Sequence, residues 1–153
     1  MIMLQLNKNE LINELLNKNS KYRNTSNNYK YAKTLKLCNV IEKCNRKTYI
    51  IPSLNIGDIC ELITKEIIFS DLTSIKNNAK GCDYISNGIE YEIKSFVNSH
   101  SHELTKANNI IIMVVKEKMV GFYYIPKALS ECLIGERLKQ EYIEKYGKLI
   151  VNM

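Results

Sequence analysis

The sequence predicts a single α/β domain of the α+β type, with a small mixed sheet flanked by helices. The 153-residue chain is 45% apolar and 25% charged, which is typical of a globular domain with its own core. A hairpin pattern and two apolar strands occupy residues 83–125, and amphipathic segments lie on both sides of them. No apolar run reaches the roughly 18 residues of a membrane span, so we expect no membrane partner.

The first 50 residues form a predicted basic region that is partly helical and partly irregular. Leucines and isoleucines at near-helical spacing predict a helix over residues 7–18. The polar segment 20–36 is expected to be irregular, and the apolar runs 35–41 and 48–51 have the length of short strands.

This region also carries most of the positive charge of the chain. It holds ten lysine and arginine residues against three glutamates, whereas the whole chain has a net charge of +6. Tyrosines alternate with the cations, as in surfaces that bind phosphates and bases. We therefore expect a nucleic-acid partner, with a solvated lysine surface as the alternative. The candidate nucleic-acid-binding residues are Lys21, Arg23, Lys30, Lys33, Lys36, Arg46 and Lys47.

The remaining elements follow from residues 52–147. A helix is predicted over 58–69, with Asp58 and Glu61 at the spacing of a capping box. Residues 71–80 are predicted to form a loop. The continuous apolar run 109–115 has the character of a strand buried on both faces, and 120–125 is its neighbour. A closing helix is predicted over 126–146, beginning at a proline and ending at a glycine.

A predicted β-hairpin holds the most informative residues. Asp83–Ile85 forms its first strand, Asn87-Gly88 is a strong turn signal, and Ile89–Phe96 forms its second strand. In the second strand glutamates and Lys94 alternate with apolar residues, so the charged side chains share one face. An ordinary solvated face with Glu–Lys pairing gives the same pattern.

Asp83 lies across the turn from these charges, which suggests a metal site. Carboxylate oxygens are the ligands that Mg²⁺ prefers, and a bound divalent cation both neutralises a phosphate and activates a water. Asp83 and Glu92 are candidate ligands, and Lys94 is a candidate for orienting or deprotonating the attacking water.

These residues resemble the PD-(D/E)xK nuclease superfamily, the restriction-endonuclease-like fold. Asp83 matches its aspartate, and Glu92-Ile93-Lys94 matches its Glu-x-Lys tripeptide on the following strand. Cys82 stands where the family often has proline, and Ser95 follows the lysine where some branches have glutamine. The resemblance covers about residues 55–140 and implies an αβββαβ catalytic core behind the helical basic extension of residues 1–50.

The resemblance also implies a further metal-binding glutamate on the preceding helix. Glu61 fits the family spacing best, although it has the capping-box role as an alternative. Glu66 is the substitute, because it falls within the apolar stripe of that helix, where a carboxylate needs a partner. Glu90 is expected to be solvated, and His100 and His102 are expected to lie in an exposed loop.

The sequence thus predicts a metal-dependent nuclease that hydrolyses phosphodiester bonds, with DNA as substrate and Mg²⁺ as cofactor, for which Mn²⁺ may substitute. The resemblance implies in-line attack by water, a 5′-phosphate product, and a homodimer where both strands of a duplex are cut. Restriction-type cleavage, junction resolution and a toxin-like nuclease all remain open. The alternative is a non-catalytic nucleic-acid-binding or inhibitory protein on the same scaffold.

The cysteines and the first residues bear on the cellular compartment. Five cysteines are scattered along the chain and none forms a Cys-x-x-Cys pair. Both histidines lie in one tripeptide, so a zinc site is not expected. The first residues lack the layout of a secretory signal. We therefore expect reduced thiols and a cytoplasmic location.

Overall fold

The computed structural model describes residues 3–69, 82–97 and 101–153. Within these ranges the helices are α1 (Lys8–Asn19), α2 (Asn28–Lys43), α3 (Ile56–Phe69), α4 (Lys127–Glu131) and α5 (Gln140–Tyr146), with a 3-10 turn at Ser20–Tyr22. The strands are β1 (Leu4–Asn7), β2 (Thr48–Ile51), β3 (Tyr84–Ser86), β4 (Ile89–Phe96), β5 (Ser101–Glu103), β6 (Asn109–Val115), β7 (Val120–Ile125), β8 (Arg137–Lys139) and β9 (Lys148–Asn152).

A mixed central sheet organises the described chain. Its strand order is β3-β4-β6-β7-β9, with β4 and β6 parallel and the other neighbours antiparallel. β1 pairs with β2, and β5 pairs with β8, in two separate two-stranded sheets. The predicted mixed α/β class with a mixed sheet is confirmed. The predicted loop over residues 71–80 lies outside the described residues.

Strand β6 is buried on both faces, as its continuous apolar run predicts. Met113 and Val115 belong to a core formed with α1, α2 and α3. Ile110, Ile112 and Val114 belong to a second core on the other face, which includes residues of β8 and α5. The central sheet therefore has a layer packed on each side.

The hairpin forms as its sequence predicts. Asn87 and Gly88 have φ angles of 53° and 78°, the left-handed conformation that both central residues of a type I′ turn need. β4 spans the predicted residues, whereas β3 begins at Tyr84, one residue later than predicted. The Asp83 N–H still donates to the Tyr91 carbonyl at 3.0 Å, so Asp83 remains fixed beside β4.

The predicted strand at residues 35–41 is wrong, because these residues form the second half of α2. The buried residues Thr34, Leu37, Cys38, Val40 and Ile41 recur at helical spacing. The irregular structure predicted for 20–36 is likewise limited to its first part. A short apolar run looks the same in a buried strand and in the buried face of a helix, and the preceding polar residues hid the helical period.

The single closing helix predicted over 126–146 is also wrong. It is divided into α4, a turn, β8 and α5. Gly135 lies in the turn with a φ angle of 83°, a conformation that ends a right-handed helix. Leu138, which lies within the range predicted as helix, is buried in the second core from strand β8.

The capping box predicted for Asp58 and Glu61 is wrong as well. α3 begins at Ile56, so Asp58 lies inside its first turn and cannot be the residue that precedes the helix. The Asp58 carboxylate instead accepts a hydrogen bond from the Ser53 hydroxyl at 3.1 Å. Glu61 is thereby free of the capping role.

Candidate active site

Asp83 and Glu92 meet across the hairpin. Tyr84 pairs with Tyr91, so Asp83, one residue earlier, lies opposite Glu92. The Ile93 N–H donates to Asp83 Oδ2 at 2.8 Å and fixes the aspartate side chain. The two carboxylates interact with each other in this arrangement. Burial and the adjacent Asp83 raise the pKa of Glu92, while Lys106 opposes the shift.

Glu61 approaches Asp83 from helix α3. Burial and then the negative charge of Asp83 raise the pKa of Glu61 to about 7, with Lys65 opposing the shift and Asp58 adding to it. Lys65 is fully buried, and its Nζ lies 3.6 Å from Glu61 Oε1. That distance is within ion-pair range but too long for a hydrogen bond. Oε1 of Glu61 is buried and has no hydrogen-bond partner among the described residues.

Asp83 interacts with acidic side chains that come from opposite faces of the sheet. Glu92 and Lys94 pair with Ile110 and Ile112, so they share the face of the second core. α3 lies on the other face, where Phe69 stacks against Tyr84 and Tyr91. Among the described residues, Asp83 interacts with Glu92 and with Glu61. Within that part of the chain, no three acidic, histidine or cysteine side chains converge closely enough to hold a metal ion by themselves.

Lys94 and Glu92 line one small cavity of about 60 Å³ on the face of the second core. Lys106 lies at its edge, with Nζ 3.4 Å from Glu92 Oε1. Lys94 is half-buried, whereas about half of the Lys106 side chain is exposed. Two ammonium groups and one carboxylate therefore surround a space open to small polar groups.

Glu66 lies apart from this cluster. Its carboxylate interacts with the Cys44 thiol at the end of α2 and with Tyr49 of β2. Burial, followed by Glu66, raises the pKa of Cys44 to about 12, so this thiol stays protonated. Glu61 and Glu66 are five positions apart, about 140° around the helix. Glu61 interacts with Asp83, whereas Glu66 interacts with Cys44 and Tyr49.

Glu90 is exposed, as predicted. The exposed loop predicted for His102 is wrong: His102 is half-buried in β5, its Nε2 lies 2.6 Å from the Ser95 carbonyl, and its ring contacts Phe96 edge-to-face. The pairing of β5 with β8 withdraws this histidine from solvent. His100 lies outside the described residues.

The predicted nucleic-acid-binding residues fall into two groups. The first lies between the 3-10 turn and the middle of α2 and includes Lys36. Four of its cations lie over tyrosine rings at 4.9–5.7 Å: Lys21 and Lys30 over Tyr22, Arg23 over Tyr31, and Lys33 over Tyr29. Arg46 and Lys47 lie beyond the C-terminal end of α2, an end that is about 20 Å from Lys30 and about 10 Å from Lys36 at 1.5 Å per residue.

The first group is also distant from the carboxylates. Lys33 borders a cavity with the turn at residues 116–119, between β6 and β7. Glu92 pairs with Ile110, near the opposite end of β6, and the rise of a strand puts about 17 Å between that residue and Val115. Among the described residues, the cations that lie next to the carboxylates are Lys65, Lys94 and Lys106.

Sequence reasoning missed Lys65 and Lys106. Lys65 had a readable signal, because Glu61 and Lys65 are four residues apart on one helix, the spacing of a helical ion pair. Lys106 had none, because its position next to Glu92 depends on the parallel pairing of β4 with β6 and on the path of the chain between them.

Comparison of the chain with models of known protein families, with curated proteins and with solved structures found no match. None of the described helices is long and apolar enough to span a membrane.

Proposed function

We propose that this protein is a metal-dependent nuclease that hydrolyses phosphodiester bonds, with DNA as its substrate. The observation that supports the proposal most is the position of Asp83, against Glu92 and near Glu61, with Lys94 on the same strand face as Glu92. The finer fold that we propose is a restriction-endonuclease-like αβββαβ core, in which α3 and the hairpin supply the site.

The donor set fits a hard divalent cation such as Mg²⁺, or Mn²⁺ in its place. Mg²⁺ commonly takes one or two protein carboxylates and fills its other positions with water and phosphate oxygens, so it needs no complete protein cage. Asp83 and Glu92 would hold it, and Glu61 would add a third negative charge next to Asp83. Part-buried carboxylates that repel one another, and a Glu61 Oε1 that has no hydrogen-bond partner among the described residues, are what such a site leaves before a cation binds. When bound, the cation supplies charge neutralisation at the phosphate and acidifies a water.

The residues of the chain have separate roles in this proposal. Asp83 is held by the Ile93 N–H, so its free oxygen keeps a fixed direction. Lys94 orients the attacking water and offsets the charge that develops on the phosphate. Lys65 keeps Glu61 partly ionised through their ion pair.

Contacts to the nucleic-acid backbone would come from the cations around α2, which border the far end of β6, about 17 Å along the strand from the carboxylates. That separation fits an extended substrate rather than a mononucleotide. We propose a homodimer for cleavage of both strands, since the described part of the chain holds one such cluster.

The test is cleavage of plasmid, single-stranded DNA and RNA with Mg²⁺ or with a chelator. We expect Mg²⁺-dependent cleavage by the wild type and a loss of about 10²-fold or more in Asp83→Asn and Lys94→Ala. Glu90→Gln is the matched control for Glu92→Gln, because the two glutamates lie two residues apart on one strand and Glu90 is exposed. Full activity in Asp83→Asn and Lys94→Ala would refute the assignment of Asp83 and Lys94 to the catalytic site. Binding without any cleavage would favour the non-catalytic alternative.

A further inference from the structure

The cavity next to Glu92 has the lining of an anion site. Its walls come from β4, from β6 and from the segment that precedes β6, and the lining residues are Glu92, Lys94, Leu104, Thr105, Lys106 and Ile110. Lysine ammonium groups and threonine hydroxyls are common donors to phosphate oxygens. At about 60 Å³ the cavity has room for a few water molecules or one phosphoryl group.

The chain holds Lys106 at this cavity by anchors on both sides. Leu104 is buried in the second core, and its carbonyl accepts a hydrogen bond from the Gly135 N–H at 2.8 Å. Asn108 is also buried, and its N–H and carbonyl bond the Ser130 hydroxyl at 2.9 and 2.7 Å. Only a short segment separates these two anchors, so the backbone of Lys106 has little freedom to leave Glu92.

Lys106 can pair with the Glu92 carboxylate or with a phosphate oxygen in the cavity. Its ion pair with Glu92, at 3.4 Å and about half exposed, is of the weak kind that can be exchanged. A divalent cation would compete with Lys106 for the same carboxylate. When Lys106 loses Glu92 as a partner, its side chain remains beside the cavity and next to Lys94, where it can bind a phosphate oxygen.

We propose that this cavity is a phosphate subsite and that Lys106, together with Lys94, binds the substrate phosphate there. The inference rests on the nuclease function proposed above and adds a residue that the sequence motif does not contain. It predicts opposite effects of one substitution on cation binding and on nucleic-acid binding.

The experiment measures cation binding and nucleic-acid binding in Lys106→Ala. Binding of Mn²⁺ alone should become about two- to fivefold tighter, because Glu92 loses its competing cation. Binding of a labelled DNA oligonucleotide in Ca²⁺, which competes with Lys106 for Glu92, should weaken, and the slope of log affinity against log salt should fall by about one. Lys106→Arg should restore the wild-type slope, because it keeps the charge.

Lys118→Ala is the control for a lost positive charge, since Lys118 lies in the distant β6–β7 turn; its Mn²⁺ affinity should equal that of the wild type. An unchanged salt slope in Lys106→Ala overturns the phosphate subsite and leaves only an ion pair with Glu92. Unchanged Mn²⁺ affinity overturns the competition for Glu92. If the wild type binds DNA but cleaves nothing, the nuclease proposal fails, and a reduced slope in Lys106→Ala still supports the subsite.

Discussion

Replacing Glu61 by glutamine should change how the stability of the metal-free protein depends on pH. Burial and Asp83 raise the pKa of Glu61 to about 7 in the folded protein, whereas the ordinary value of 4.5 applies in the unfolded chain. Between these values the folded protein keeps a proton that the unfolded chain releases. The free energy of unfolding therefore falls as the pH rises from about 4.5 to 7, and the fall is complete above pH 7.

The size of this effect follows from the two pKa values. A rise from 4.5 to about 7, at about 1.4 kcal/mol per pH unit, corresponds to about 3 kcal/mol. The charges of Asp83 and Glu92 adjust when Glu61 is neutral, so we expect about 1–3 kcal/mol. Glutamine resembles the protonated acid, so Glu61→Gln should lack this loss. The ion pair with Lys65 forms only when Glu61 is ionised, so its contribution is already contained in the pKa of about 7.

The assay is urea unfolding of the wild type and of Glu61→Gln between pH 4.5 and 8, at low salt and with chelator present. The stability of the variant relative to the wild type should increase by about 1–3 kcal/mol across that range. Glu14→Gln, at an exposed position of α1, should show no such change. Parallel curves for the wild type and Glu61→Gln would refute the account of a buried carboxylate held against Asp83.

Two further predictions concern the frame of the site. Ser130→Ala should lower the free energy of unfolding, measured by urea denaturation, by about 1–3 kcal/mol. The substitution removes the hydroxyl that bonds the buried backbone groups of Asn108. A cost below about 0.5 kcal/mol would contradict this prediction. Gly88→Ala should cost about 1 kcal/mol, because its φ angle of 78° is unfavourable for alanine, and Gly88→Asn should cost less; equal stability of the two variants would count against the type I′ turn.

The hairpin and the buried strands could be predicted because their signals are local. Asn87-Gly88 fixes the turn, alternation fixes the register, and the register by itself puts Asp83 opposite Glu92. The second half of α2 was missed because an apolar run of that length does not separate helix from strand. The closing helix was overextended because the tertiary pairing of β8 with β5 overrides the helical spacing around Leu138.

The candidate site was predictable to the same extent. Asp83, Glu92 and Lys94 come from one hairpin, so sequence spacing is enough to bring them together. The choice of Glu61 over Glu66 needed the packing of α3, because the two glutamates point to different neighbours. Lys106 required the parallel β4–β6 pairing, which joins residues far apart along the chain and leaves no local pattern.

Binding of Mn²⁺, followed by electron paramagnetic resonance of the free ion at pH 8, tests most directly whether these carboxylates hold a divalent cation. The account predicts binding by the wild type and by Glu90→Gln, and a loss of about tenfold or more in Asp83→Asn and Glu92→Gln, because each removes a charged ligand. Equal binding by the wild type and Asp83→Asn, or no binding by the wild type, would contradict it.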